Sequence, residues 1–130
     1  MKIQLFAVSL LLLGACAETS VQPMSQDTFK VSTNAAPACG PTGARTLAFK
    51  AAAIEVIRKG GDRFVIVNDT SDTGMTGDIF TGMYQNYQQG MIVKMIQPGT
   101  AEARNALSAR ETLGANWQEV VAEGVPNTCT

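Results

Sequence analysis

Few side chains in this 130-residue chain could do chemistry, and the first question is which of them could act together. Histidine is absent, which removes the usual general base, every Ser-His-Asp or Cys-His arrangement and every imidazole metal ligand. No Ser-x-x-Lys pair replaces it. Three acids, Asp69, Asp72 and Asp78, cluster in NDTSDTGMTGD and invite a calcium-loop alignment. With Asp69 in the first position of an EF-hand loop, Ser71, Thr73 and Gly74 fall into register. Phe80 then occupies the place of the bidentate glutamate, so the match fails at its most informative ligand. The cluster predicts a solvated segment with Asx turns rather than a metal site. Carboxylates such as Glu55 and Asp62 lack the burial pattern that two-carboxylate acid–base catalysis needs. The residues therefore assign no catalytic group, no metal and no cofactor, and predict a protein that is not an enzyme.

Binding chemistry is better supplied. Tyr84 and Tyr87, flanked by Gln85, Asn86, Gln88 and Gln89, combine aromatic faces with amides and suit a sugar, a peptide or a protein partner. The competing expectation is that both rings cover the sheet with their hydroxyls at its rim. Arg110, on an otherwise apolar helical stripe, could bind a carboxylate, although such a residue more often lays its stem on the core and reaches solvent. With Lys and Arg at 10 against Asp and Glu at 11, and no basic block, a nucleic-acid partner is not expected.

The N-terminal segment carries the most specific signal. Met1 and Lys2 are followed by an apolar stretch over residues 3–13, about half the ~20 residues that span a bilayer, so a secretory signal fits better than a membrane helix. Leu13-Gly14-Ala15-Cys16 resembles the lipobox of bacterial lipoproteins. The resemblance implies cleavage before Cys16, diacylglycerol on its thiol and an acylated amine. Each buried acyl methylene contributes about 0.8 kcal/mol, and two or three chains hold a protein on a membrane stably. Ala17 follows the cysteine, where an aspartate favours inner-membrane retention in enterobacterial lipoproteins. The resemblance therefore implies the outer membrane, facing the periplasm. It also resolves an odd cysteine count: with Cys16 lipidated, Cys39 and Cys129 remain as a pair, expected as a disulfide in an oxidising compartment. A redox-active pair is disfavoured because no CxxC turn lowers either thiol pKa. Two cysteines without histidine are an incomplete metal site.

These side chains need elements to hold them. Residues 1–15 read as the signal peptide, 16–27 as the lipidated cysteine with a polar, flexible tether, and 28–130 as one domain. TFKVST at 28–33 alternates as a half-buried strand. The alanine-rich residues 43–59 predict a helix with Thr42 as a possible N-cap and Gly60-Gly61 as its stop. RFVIV at 63–67 predicts a central strand covered on both faces, completing a β-α-β unit. MIVKMI at 91–96 predicts a third strand, and Thr100 a cap for a second helix. Gly114 should bend or break that helix, with Asn116 and Glu119 restarting it as a capping box or 119–123 forming a short strand. Residues 68–90 stay open between a helix carrying Ile79, Phe80, Met83, Tyr84 and Tyr87 and an extra strand against 91–96. The expectation is an α+β (α/β-like) β-α-β-β-α domain: a three- to four-stranded sheet with helices packed on it and one disulfide.

The lipobox, the DTFKVS strand, the alanine-rich helix and GGDRFVIVN together resemble a group of small proteobacterial envelope lipoproteins. That group carries no established activity, so the resemblance supplies no site. Outer-membrane stress sensors that join a lipid anchor to a disulfide-held α/β domain are a looser analogy and use more cysteines. The function expected is a non-catalytic interaction, structural or sensor role through residues 68–90, with an envelope protein as partner. The alternative is a module that binds cell-wall fragments such as peptidoglycan through Tyr84, Tyr87 and Arg110. The anchoring itself has a direct check: cells expressing the full chain should incorporate labelled palmitate into it, and Cys16→Ser should abolish the label.

Overall fold

The computed structural model describes residues 16–80 and 82–129. The signal peptide expected over residues 1–15 lies outside them.

Seven residues assigned to the tether are a strand instead. β1 (Ala17–Pro23) pairs antiparallel with β2 (Thr28–Ala35), from Ala17 opposite Ala35 to Pro23 opposite Phe29. The polar composition of β1 concealed it. As an edge strand it needs only one apolar row, and Ala17 and Val21 supply it by packing on the core clusters. In the connecting turn, the Asp27 carboxylate accepts hydrogen bonds from the Ser25 and Thr28 hydroxyls, which hold its pKa below the ordinary aspartate value.

A 3-10 turn over Pro37–Cys39 leads into α1 (Gly40–Arg58). The helix starts three residues before its expected start. Its N-cap is Cys39 rather than Thr42, and no side chain caps it; Pro41 sits in the first turn, where a missing N–H costs nothing. β3 (Arg63–Asp78) and β4 (Gly82–Met95) then form a long hairpin. The sheet order is β1-β2-β4-β3-β5, where β5 is the short strand Leu107–Ser108, and every neighbouring pair is antiparallel. The sheet is thus larger than expected, and an isolated Cys16–Thr128 bridge adds a rung at the outer edge of β1. β2, α1 and β3 do make a β-α-β unit, but β4 lies between its two parallel strands.

One face of the sheet carries the core. Phe29, Val31, Phe64, Met91 and Val93 meet Ala48, Ala51, Ala52 and Val56 of α1, all buried. Alanine lets the helix axis come close to the strands, and full burial of a ring such as Phe29 contributes about 1.5–3 kcal/mol. The helix is also buried on its far side, because α2 (Ala109–Leu113) and α3 (Trp117–Glu123) pack there: Ala109 and Leu113 join the core, and Arg58 donates to the Val121 carbonyl. Among the described residues, the other face of the sheet has no helical layer. This corrects the expectation for RFVIV: Val67 is 56% exposed, at a register shift between Ile66 and Asn68.

The C-terminal third departs most from the sequence pattern. Instead of one helix starting at Thr100, the chain makes a 3-10 turn over Glu102–Arg104, then β5, then two short helices. Ser108 is the working cap of α2, accepting from Glu111 N, and the Asp62 carboxylate in turn accepts from Ser108 Oγ and Arg110 N. Gly114, at φ 97°, ends α2. Residues 119–123 are helical, and Asn116 precedes α3 without a side-chain cap bond.

Cys39 and Cys129 form the expected disulfide, with Cα atoms 5.7 Å apart. It ties the C-terminal tail to the start of α1, and a Cβ at Gly43 would come within 3.2 Å of Cys39 Cβ, so the bridge packs directly on the first turns of the helix. Closing a loop of this length stabilises by about 4–5 kcal/mol in the chain-entropy model. Cys39→Ser with Cys129→Ser should therefore lower unfolding free energy by about 2–5 kcal/mol in denaturant titration; an unchanged midpoint would contradict the structural role.

Candidate functional site

The uncovered face of the sheet is where a ligand could lie. Alternate residues point to it from every long strand, and most are polar: Glu18 and Ser20 on β1, Lys30, Ser32 and Asn34 on β2, Gln88 and Lys94 on β4, Thr70 and Asp72 on β3, with Val65 and Ile92 as apolar members away from the hairpin turn. The strand register aligns them in rows. Ser20 is opposite Ser32, Ser32 opposite Gly90, and Gly90 opposite Thr70. One step toward the hairpin turn the row is Glu18, Asn34, Gln88 and Asp72. The first row consists of small side chains with a glycine at its centre. A Cβ at Gly90 would lie 2.9 Å from Thr70 Oγ1, so glycine there keeps the floor low. The result is an open furrow of about 870 Å3, lined by hydroxyls, amides and the charged groups of Glu18, Lys30 and Asp72, and reaching the tail at Pro126 and Asn127.

At the hairpin end of the furrow, Asn86 Nδ2 donates to Asn34 Oδ1 at 2.7 Å. The Asn86 side chain lies across Gly74, where a Cβ would come within 2.5 Å of Oδ1, and that buried oxygen has no hydrogen-bond partner among the described residues. Glycine at 74 thus lets an amide lie flat over the neighbouring strand.

A second polar group sits on the helix side. Arg45 of α1 holds Asp69 Oδ2 at 2.7 Å; Gln89 Nε2 donates to Asp69 Oδ1; and Ser71 Oγ donates to Gln89 Oε1 at 2.5 Å. Gln89 is 2% exposed, so this chain satisfies a buried amide between helix and hairpin. It accounts for Asp69 as a structural group. A smaller cleft beside it is lined by Pro41, Thr73 and Tyr87.

The three residues expected to share a binding surface do not meet. Tyr84 and Tyr87 are three apart on β4, an odd spacing that sends them to opposite faces. Tyr87 packs on the cluster of Ala17, Ala35, Ala44 and Leu47, as the covering role expects. Tyr84 is half exposed on the hairpin, on the furrow's face. Arg110 belongs to the other end of the sheet, since α2 follows the strand that pairs with Arg63 and Phe64, whereas Tyr84 is opposite Thr76. Its guanidinium stacks 4.9 Å from the Trp117 ring centroid.

No family model, curated protein or solved structure matches this chain.

The chemistry open to the site is therefore that of its own groups. Hydroxyls and amides in rows can donate to and accept from a polar ligand. Among the described residues no three His, Cys, Asp or Glu side chains gather as a metal site, and no described helix is long and apolar enough to cross a membrane. Sequence reasoning missed Ser20, Ser32, Asn34, Thr70 and Gly90. The alternation in β2 places Lys30, Ser32 and Asn34 together on one face, but only the register sets them beside β1, β4 and β3.

The helix-side chain separates a buried from an exposed contribution. Gln89→Leu, which strips partners from Ser71 and Asp69, should cost about 1–3 kcal/mol. Arg45→Ala should cost no more than about 1 kcal/mol, because its ion pair is largely solvated. Denaturant melts of the two variants check the order.

Proposed function

We propose that this chain is a non-catalytic, lipid-anchored protein of the bacterial cell envelope, akin to the small proteobacterial lipoproteins. It is held on the periplasmic side of the outer membrane through Cys16. It works by contact, as an interaction, structural or sensor subunit, and residues 68–90 supply the contact surface. The observation that supports this reading is the hairpin itself: its base forms one wall of the furrow through Thr70, Asp72 and Gln88, and its outer part pairs with no other strand. Such a surface can bind without any catalytic group.

The furrow lining favours a second reading. Rows of hydroxyls and amides suit the repeated hydroxyl, amide and carboxylate groups of cell-wall fragments, and Asn34, Gln88 and Asp72 take the place of Tyr84, Tyr87 and Arg110 as the residues for that role. A photo-crosslinking residue at Gln88 should capture one envelope protein in cells if the first reading holds. Binding to purified peptidoglycan, lost in an Asn34→Ala/Gln88→Ala variant that melts like the wild type, would support the second. Absence of both, with folding and anchoring intact, would remove this surface from either role.

A further inference from the structure

The far end of the hairpin carries apolar side chains that no other described residue covers. Beyond the level where Ala35 pairs with Tyr87, residues 74–78 and 82–86 pair with each other and with no other described strand. This two-stranded ribbon exposes Met75, Met83 and Tyr84, and at its turn Ile79 is 85% and Phe80 90% exposed. Asp78 Oδ1 accepts from Phe80 N at 2.8 Å, and a Cβ at Gly77, φ 115°, would come within 2.1 Å of the Gly82 carbonyl oxygen. An isoleucine and a phenylalanine held outward side by side form an apolar contact site.

The register says which end of the molecule this is. Ala17, Ala35, Tyr87 and Thr73 lie side by side across the sheet, so one residue further along, Cys16 lies at the level of Asn86 and Gly74. Cys16 accepts from Ala36 N through its carbonyl and bridges to Thr128, so the attachment point is built into the sheet with no intervening spacer. The ribbon projects from that same end, about 20 Å past Cys16 at ~3.4 Å per residue. We infer that the hairpin tip is a second membrane contact, with Ile79 and Phe80 entering the interfacial region of the bilayer that holds the acyl chains of Cys16. This inference rests on the lipid-anchor reading above.

The chemistry of the tip limits the depth. No further described strand borders the ribbon, so its edges face water or headgroups and the turn side chains are the part that leaves the polar zone. Interfacial elements reach about 5–10 Å, so the sheet axis is inclined to the membrane rather than upright. Tyr84, on the ribbon behind the turn, suits the headgroup level. No Lys or Arg occurs between Arg63 and Lys94, so the contact is apolar and is not an attraction to anionic lipid. Two contacts in place of one would fix which way the furrow faces.

The sole tryptophan, Trp117, lies toward the opposite end of the sheet and serves as an internal control. Lipidated Phe80→Trp protein in zwitterionic vesicles should show blue-shifted emission that brominated lipids quench, while wild-type emission from Trp117 is unaffected. In the non-lipidated Cys16→Ser protein, partition to the same vesicles should fall about tenfold on adding Ile79→Ser and Phe80→Ser, with little dependence on salt. Palmitate incorporation with unquenched Phe80→Trp emission would overturn the tip contact and leave the anchor standing. Quenching without palmitate incorporation would refute the anchor and support the tip. Equal quenching of Trp117, or a protein adduct from a photo-crosslinker at position 80 with no quenching, would overturn the proposal.

Discussion

Among the described residues a single helix, α1, covers one face of this sheet, and most other features follow from that packing. The alanines of α1 bring its axis close to β2 and β4, and Phe29, Val31, Met91 and Val93 fill the contact. α2 and α3 lie against the back of the helix instead of on the second face of the sheet. No described helix lies on the second face, and an antiparallel sheet tolerates this when most of its alternate residues are polar. Removing the helix layer would expose the apolar row of every long strand at once, so the polar furrow exists only because the opposite face is dry.

The hairpin is the second consequence. β4 is the central strand and lies between β2 and β3, so its inner half is held by two neighbours, and its outer half by β3 alone. The inner half contributes to the core and the furrow. The outer half extends past the domain as a ribbon with apolar residues at its turn. Polar chemistry near the domain and apolar chemistry at the tip are thus separated along one element, and the two proposed contacts need not compete.

The disulfide, the tail and Cys16 meet at the base of that ribbon. Cys129 is joined to Cys39 at the start of α1, Thr128 bridges to Cys16, and Ala17 N donates to the Asn127 carbonyl. A covalent tie at this corner makes the edge of β1 continuous with the C-terminus. Under the proposed anchoring, a pull on Cys16 would be borne by the sheet and the disulfide-tied tail.

Local pattern was legible where it was strong and where a residue's neighbours in sequence decide its state. The alternation of Phe29 and Val31 with Thr28, Lys30 and Ser32, the alanine-rich helix, the pairing of Cys39 with Cys129 and the break at Gly114 could all be read from the residues. The strand at 17–23 could not, because an edge strand needs little apolar surface of its own. Nor could the cap at Ser108, although Ser108 and Glu111 have capping-box spacing, because Thr100 offered a competing start and Asp62 decides between them from a distant turn. What the sequence by itself determined is the set of elements and the chemistry they carry: no histidine, three cysteines, and amides and hydroxyls rather than catalytic pairs. Only the tertiary structure decided which of those residues stand together. Strand register places Ser20, Ser32 and Thr70 in one row, sends Tyr84 and Tyr87 to opposite faces, and puts Cys16 at the end of the sheet from which the apolar turn projects. Register is set by burying one face of several distant segments together, a condition that no single segment contains.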